Sequence, residues 1–116
     1  MCTQHEGDLA FDCRVEGGFV RVSGEVDLNT APSFHDVLMK CVRDTGHLPT
    51  VDLSGVTYFD SCGIQALIDA KGKQTEARET PRIIGVRPHV LRVLHLVGLD
   101  KLFQIQGSDE PDARPY

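Results

Sequence analysis

Apolar residues along the chain keep two rhythms, and the switch between them sets the expected elements. "LAFDCRV" (9–15) and "FVRVSGEV" (19–26) alternate or run apolar, as strands do. Glu16, Gly17 and Gly18 between them read as a hairpin turn. The period then lengthens to about 3.6. Phe34, Val37, Leu38, Cys41 and Val42 fall at i, i+3, i+4, i+7 and i+8, which predicts one buried helical face. Thr30 is placed as the N-cap, Pro32 in the first turn and Gly46 just past the helix end. "TVDLSGV" (50–56) predicts a short strand, and a second helix is expected from about Ser61 to about Gln74. "RIIGV" (82–86) reads as a buried strand. A third helix opens at Pro88 and stops at Gly98, with Val90, Leu91, Leu94 and Val97 facing inward. "LFQIQ" (102–106) is the last strand.

Two consecutive strand–helix–strand crossovers imply parallel pairing at the sheet centre, with right-handed connections. The opening hairpin adds an antiparallel edge. The expected fold class is α/β: a small mixed sheet with helices packed against it. Its core should hold Phe34, Leu38, Cys41, Leu53, Ile64, Leu67, Ile83 and Leu94. A chain of 116 residues, 41% hydrophobic and 25% charged, fits one such domain. That domain is expected over 9–106, after a flexible N-terminus (1–8) and before a disordered tail (107–116) that lacks periodicity.

Charge and cysteine usage narrow the function classes. Twelve basic against 17 acidic residues leave a formal charge of -5, and no basic stripe appears. Nucleic acid and an anionic membrane surface are therefore not expected partners. Cys2, Cys13, Cys41 and Cys62 form no Cys-x-x-Cys pair, and their spacing suits neither zinc nor a dense disulfide framework. A reducing, cytoplasmic setting is expected. The five histidines suggest no metal site, and nothing implies a cofactor. The first residues do not read as a signal peptide, and no segment is long and apolar enough to span a bilayer.

The candidate chemistry sits at "YFDSCGIQAL" (58–67), where an acidic residue and a serine end an apolar run. Ligands of open parallel sheets gather beyond the C-terminal strand ends, so this loop and "GEVDLNT" should bring Ser61 near Asp27. Capping is the ordinary use of serine and aspartate before a helix, because their oxygens accept orphan amide protons. A nucleophilic serine needs a base, and neither loop holds a histidine; His35 and His89 sit at helix starts elsewhere. The Gly-x-Ser-x-Gly elbow, the phosphate-binding Gly-x4-Gly-Lys loop and a receiver-type acidic cluster are all missing. The chain is not expected to be an enzyme. The third use of Ser61 is as a place where another protein writes a charge.

"VSGEVDLNTAP" (22–32) followed by "VDLSGVTYFDSCGIQALIDA" (51–70) resembles the STAS domain of bacterial anti-sigma factor antagonists. "VLRVLHLVGLDKLFQI" (90–105) is similar to that family's third helix and last strand, so the resemblance covers roughly 9–106. It implies a STAS-like fold and a phosphorylation site at Ser61, written by an anti-sigma factor with serine kinase activity. A serine phosphatase of the PP2C type would reset it. Asp27 matches the family aspartate beside the phosphoserine. Cys62 stands where the family has serine or threonine, Ile64 replaces leucine and Gln65 replaces a common glycine. These departures lie beside the acceptor and bear on which partner is recognised.

The implied partner-binding set is Asp27, Asn29, Thr30, Asp60, Ser61, Cys62, Gly63, Gln65 and Asp69. On a helical projection Ile64, Leu67, Ile68 and the stem of Lys71 should face the sheet, flanked by Gly63, Ala66 and Ala70. Cys62, Gln65, Asp69, Lys73 and Glu76 fall opposite, as an ordinary solvated face or a partner surface. Cys62 should be the most accessible thiol of the folded domain, its thiolate favoured by the helix dipole and opposed by Asp60. Cys13 and Cys41 should be protected, and Cys2 reactive. The expected function is a binding switch: the unphosphorylated protein holds an anti-sigma factor and the phosphorylated form releases it. The alternative is a STAS scaffold or subunit, never phosphorylated, in a stress-signalling or lipid-transport assembly.

Overall fold

The structure, a computed structural model, describes residues 11–75 and 80–108. The N-terminal expectation and the tail beyond Ser108 lie outside these residues. Strands β1 (Asp12–Glu16) and β2 (Phe19–Val26) form the expected hairpin. Gly17 and Gly18, at φ 56° and 85°, supply the paired left-handed conformations a tight hairpin turn demands. Helix α1 (Ala31–Thr45) follows, then β3 (Thr50–Phe59), α2 (Ser61–Gly72), β4 (Arg82–Val86), α3 (Pro88–Leu96), a single 3₁₀ turn (Leu99–Lys101) and β5 (Gln104–Gly107). The sheet order is β1-β2-β3-β4-β5, antiparallel between β1 and β2 and parallel elsewhere.

Strand register explains why one face is covered and the other bare. Val20, Val51, Ile83 and Ile105 lie side by side across four strands and join the core that the helices close. The next row, Arg14, Arg21, Asp52 and Ile84, points the other way. On that face Arg21 pairs with both Asp52 and Glu16, and Asp52 also accepts a hydrogen bond from the Ser54 amide. Asp52 is the one buried charged side chain among the described residues, and these partners compensate it.

Several expectations shift once packing is seen. β3 runs three residues beyond the expected Val56, because Glu25 and Val26 continue the parallel ladder with Tyr58 and Phe59. Phe34, Leu38 and Val42 of α1 are sealed, but Val37 and Cys41 are half-buried. They border an opening of about 1020 Å³ between α1 and the edge strand β1, lined also by Cys13 and Leu48. Cys41 therefore lies at the margin of the core.

In α2 the inward arc is rotated from the projection. Gly63, Ile64, Ala66, Leu67 and Ala70 are buried, whereas Ile68 is 37% exposed. The helix packs against α1 as well as the sheet, so its small residues mark the closest approach rather than the flank. A Cβ at Gly63 would stand 2.7 Å from the Phe59 ring and 2.8 Å from Val26 Cγ1. In α3, Val90 and Leu94 are buried but Val97 is 55% exposed. The helix stops at Leu96, and Gly98 at φ 78° turns the chain so that Leu99 and Phe103 fill the space instead. β5 begins at Gln104 and includes Gly107, and the Ser108 amide donates to Val86 O, so ordered chain continues past the expected tail boundary.

Candidate functional site

The β2–α1 loop is folded around Asp27. Its Oδ1 accepts hydrogen bonds from the amides of Asn29 (2.9 Å) and Thr30 (3.2 Å). Thr30 Oγ1 in turn accepts from the Asp27 amide (2.9 Å) and donates to Glu25 O (2.7 Å). Thr30 occupies the N-cap position of α1, yet its hydroxyl makes no cap bond. The expected cap is thus replaced by a turn in which Asp27 does the accepting. Asp27 can do this because its short side chain reaches amides two and three residues on.

The β3–α2 loop removes capping from the uses of Ser61. Asp60 is extended, at φ -120° and ψ -166°, and its Oδ1 accepts the Cys62 amide at 2.9 Å. Asp60 is the cap, and Ser61 is the first helical residue. Ser61 is exposed, and its hydroxyl has no hydrogen-bond partner among the described residues. The two loops are joined: the Asp60 amide donates to Val26 O at 3.3 Å. Asp27 and Ser61, 34 positions apart in the sequence, therefore share one end of the sheet.

The charges acting on Tyr58 and Cys62 are carboxylates, those of Asp60, Asp27 and, for Tyr58, Glu25, while Arg87 and His89 at the neighbouring start of α3 bond to Ser54 O and Thr57 O. The Tyr58 hydroxyl, 3.5 Å from Asp60 Oδ2, is held above its usual pKa by the Asp60 charge first, then by burial, the Asp60 hydrogen bond, Asp27 and Glu25. The Cys62 thiol is also pushed up, by burial first, then by Asp60 and Asp27. The expected balance between helix dipole and Asp60 thus tips against the thiolate. None of Glu25, Asp27 and Asp60 is ion-paired among the described residues. No group of three or more metal-ligating side chains is found among those residues.

Replacing Asp60 by Asn should preserve the cap and remove the charge. Cys62 is then expected to titrate at lower pH and to alkylate several-fold faster at pH 8, as thiolate is the reacting form. Cys13, whose thiol is pushed up to about 12 by burial, Asp12 and Cys41, should remain the slowest of the described thiols. Alkylation rates from peptide mapping decide both points.

The α2 stripe is less free than its projection implies. Asp69 Oδ1 accepts from Gln65 Nε2 at 2.9 Å, and Oδ2 lies 3.4 Å from His35 Nε2 on α1. Asp69 braces the two helices, while Gln65 and Lys73 are exposed. Cys62 is half-buried against the core, and Gly63 faces inward onto Val26 and Phe59. Asn29 is exposed. Glu76 lies outside the described residues.

Sequence reasoning missed Leu28 and Tyr58, 75% and 48% exposed beside this cluster. A leucine between two turn-forming residues was the available signal for the first. The second needed the parallel register that sets Tyr58 against Glu25.

The chain as a whole, from the opening hairpin to the last strand, is similar to known proteins. The family profile described as "Mlab, STAS domain" matches residues 9–105, and the chain belongs to the STAS family. The anti-sigma-B factor antagonist of Staphylococcus epidermidis is 28% identical over 91 residues, covering 78% of this chain and 84% of the relative. The crystal structure of an anti-sigma factor antagonist from Mycobacterium paratuberculosis superposes with a TM-score of 0.66 at 31% identity, covering 84% of each chain. The antagonist SpoIIAA in its unphosphorylated form gives a TM-score of 0.62 at 14% identity, over 83% of this chain and 87% of that one, a likeness of fold. Among the described residues no helix is long and apolar enough to cross a membrane.

Proposed function

We propose that this protein is an anti-sigma factor antagonist that works as a phosphorylation-controlled binding switch in the cytoplasm. Unphosphorylated, it holds an anti-sigma factor and so releases a sigma factor; phosphorylated on Ser61 by that same partner's serine kinase activity, it lets go. A serine phosphatase of the PP2C type resets it, and the chain performs no catalysis of its own. The observation that carries this reading is the exposed Ser61 hydroxyl, without a hydrogen-bond partner among the described residues, at a helix start whose capping duty is already discharged by Asp60. A hydroxyl that no bond among the described residues holds can take a phosphate without breaking the helix start. The relatives named above support the general role.

Asp27, Asn29, Thr30, Asp60, Cys62 and Gln65 form the surface around the acceptor in this reading. Gly63 shapes it from beneath, and Asp69 steadies α2 against α1. Incubation with the source organism's anti-sigma factor kinases and ATP, followed by peptide mapping, tests the proposal. Phosphate is expected on the peptide bearing Ser61 and is absent from Ser61→Ala. A protein that binds its partner yet accepts no phosphate from any of these kinases would instead be an unphosphorylated STAS subunit.

A further inference from the structure

Leu28 is an apolar side chain presented rigidly to solvent. It is 75% exposed, yet its loop is no loose tether. Asp27 and Thr30, on either side of the Leu28–Asn29 pair, are locked to each other and to Glu25 by reciprocal hydrogen bonds of 2.7–3.3 Å. Holding a side chain in place beforehand removes part of the ordering cost of binding. Tyr58, 48% exposed, stands on the neighbouring strand beside Glu25, a second exposed apolar side chain at this end of the sheet. Around both lie the carboxylates of Glu25, Asp27 and Asp60, all lacking a cation among the described residues. Such a surface is an apolar anchor in an acidic collar, and it is continuous with Ser61.

We propose that Leu28 is the apolar anchor of the partner contact, seated in an apolar pocket of the anti-sigma factor that is edged by lysine or arginine side chains. This rests on the function proposed above. Buried anchors near the middle of an interface carry a disproportionate share of affinity, and surrounding charges set partner choice and rate. The basic edge follows because carboxylates taken out of water with no opposite charge would oppose binding. Tyr58 turns its hydroxyl to Asp60.

A second exposed leucine provides the control. Leu96, 81% exposed, ends α3 at the opposite end of the sheet, because each helix runs back from the C-terminal ends of the strands. Calorimetry of wild type, Leu28→Ala, Leu28→Met and Leu96→Ala is performed against each purified anti-sigma factor of the source organism, at low and high salt. Leu28→Ala is expected to weaken binding by about 10-fold or more, from the apolar area lost. Leu28→Met and Leu96→Ala should stay within about threefold, thermal melts should coincide, and wild-type affinity should fall with salt. If wild type binds and Leu28→Ala binds within threefold of it, the anchor is wrong while the switch survives. Equal losses for Leu28→Ala and Leu96→Ala, or affinity indifferent to salt, also overturn it. If wild type binds no anti-sigma factor at all, the proposed function falls and the anchor falls with it.

Discussion

Ser61→Glu is expected to abolish capture of the anti-sigma factor while leaving the fold's stability within about 1 kcal/mol of wild type. The reason lies in what the helix start can still offer. Asp60 already takes the Cys62 amide, and the Gly63 and Ile64 amides point to Asp60 O at 3.1 and 3.2 Å. A phosphate carrying nearly two charges would find the dipole but few unused donors. Its attraction to the helix start is worth about 0.3–2 kcal/mol. Asp60 and Asp27 push back, each by on the order of 1 kcal/mol for two charges against one some 6 Å apart in water, before screening. The opposing effects nearly cancel. No ion pair of an arginine or lysine with Asp27 or Asp60 exists among the described residues to draw a loop into a new shape. The modification is therefore expected to act in trans, by placing bulk and extra charge into the proposed interface beside Asp27 and Asp60. Ser61→Ala should bind like wild type and accept no phosphate. Thermal melts of the three proteins, with binding of each, test both halves.

Truncating Leu38 or Leu67 to alanine should destabilise the domain by about 2–5 kcal/mol, because each loses buried methyl groups and leaves a cavity. Both are 0% exposed, and they come from the two helices that pack on each other over the sheet. The loss is a large part of the roughly 5–15 kcal/mol that holds a domain of this size. Urea unfolding monitored by far-ultraviolet circular dichroism measures it. A loss below about 1 kcal/mol at both positions would mean that α1 and α2 do not meet the sheet as described.

Elements whose apolar period had a clear edge were legible from the residues. β2 and β4 were read with the boundaries observed, and Pro88 opens α3 as its fixed φ suggests. What failed to show was tertiary. The arc of α2 turned toward Gly63, Ala66 and Ala70 because a second helix lies beside it, and a single-helix projection cannot sense that neighbour. Val97 was counted inward because the apolar run passes through it, but Gly98 breaks the phase one residue later. Cys41 lies on the right face of α1, but toward the edge strand β1, where the opening between helix and strand leaves it half-buried.

At the site, the meeting of Asp27 and Ser61 was foreseen from the rule that loops after parallel strands converge. The division of labour between Asp60 and Ser61 was not, since either residue type caps a helix well. It depends on which residue adopts the extended conformation, and β3 carries that conformation to Asp60. The same extension of β3 exposes Tyr58, and the Asp27 turn exposes Leu28.

The central claim is tested most directly by titrating the anti-sigma factor with this protein before and after quantitative phosphorylation by that partner, the phosphate having been mapped to Ser61. Affinity is expected to fall by about 100-fold or more, the equivalent of roughly 2.7 kcal/mol. Equal affinity of the two forms would contradict the account.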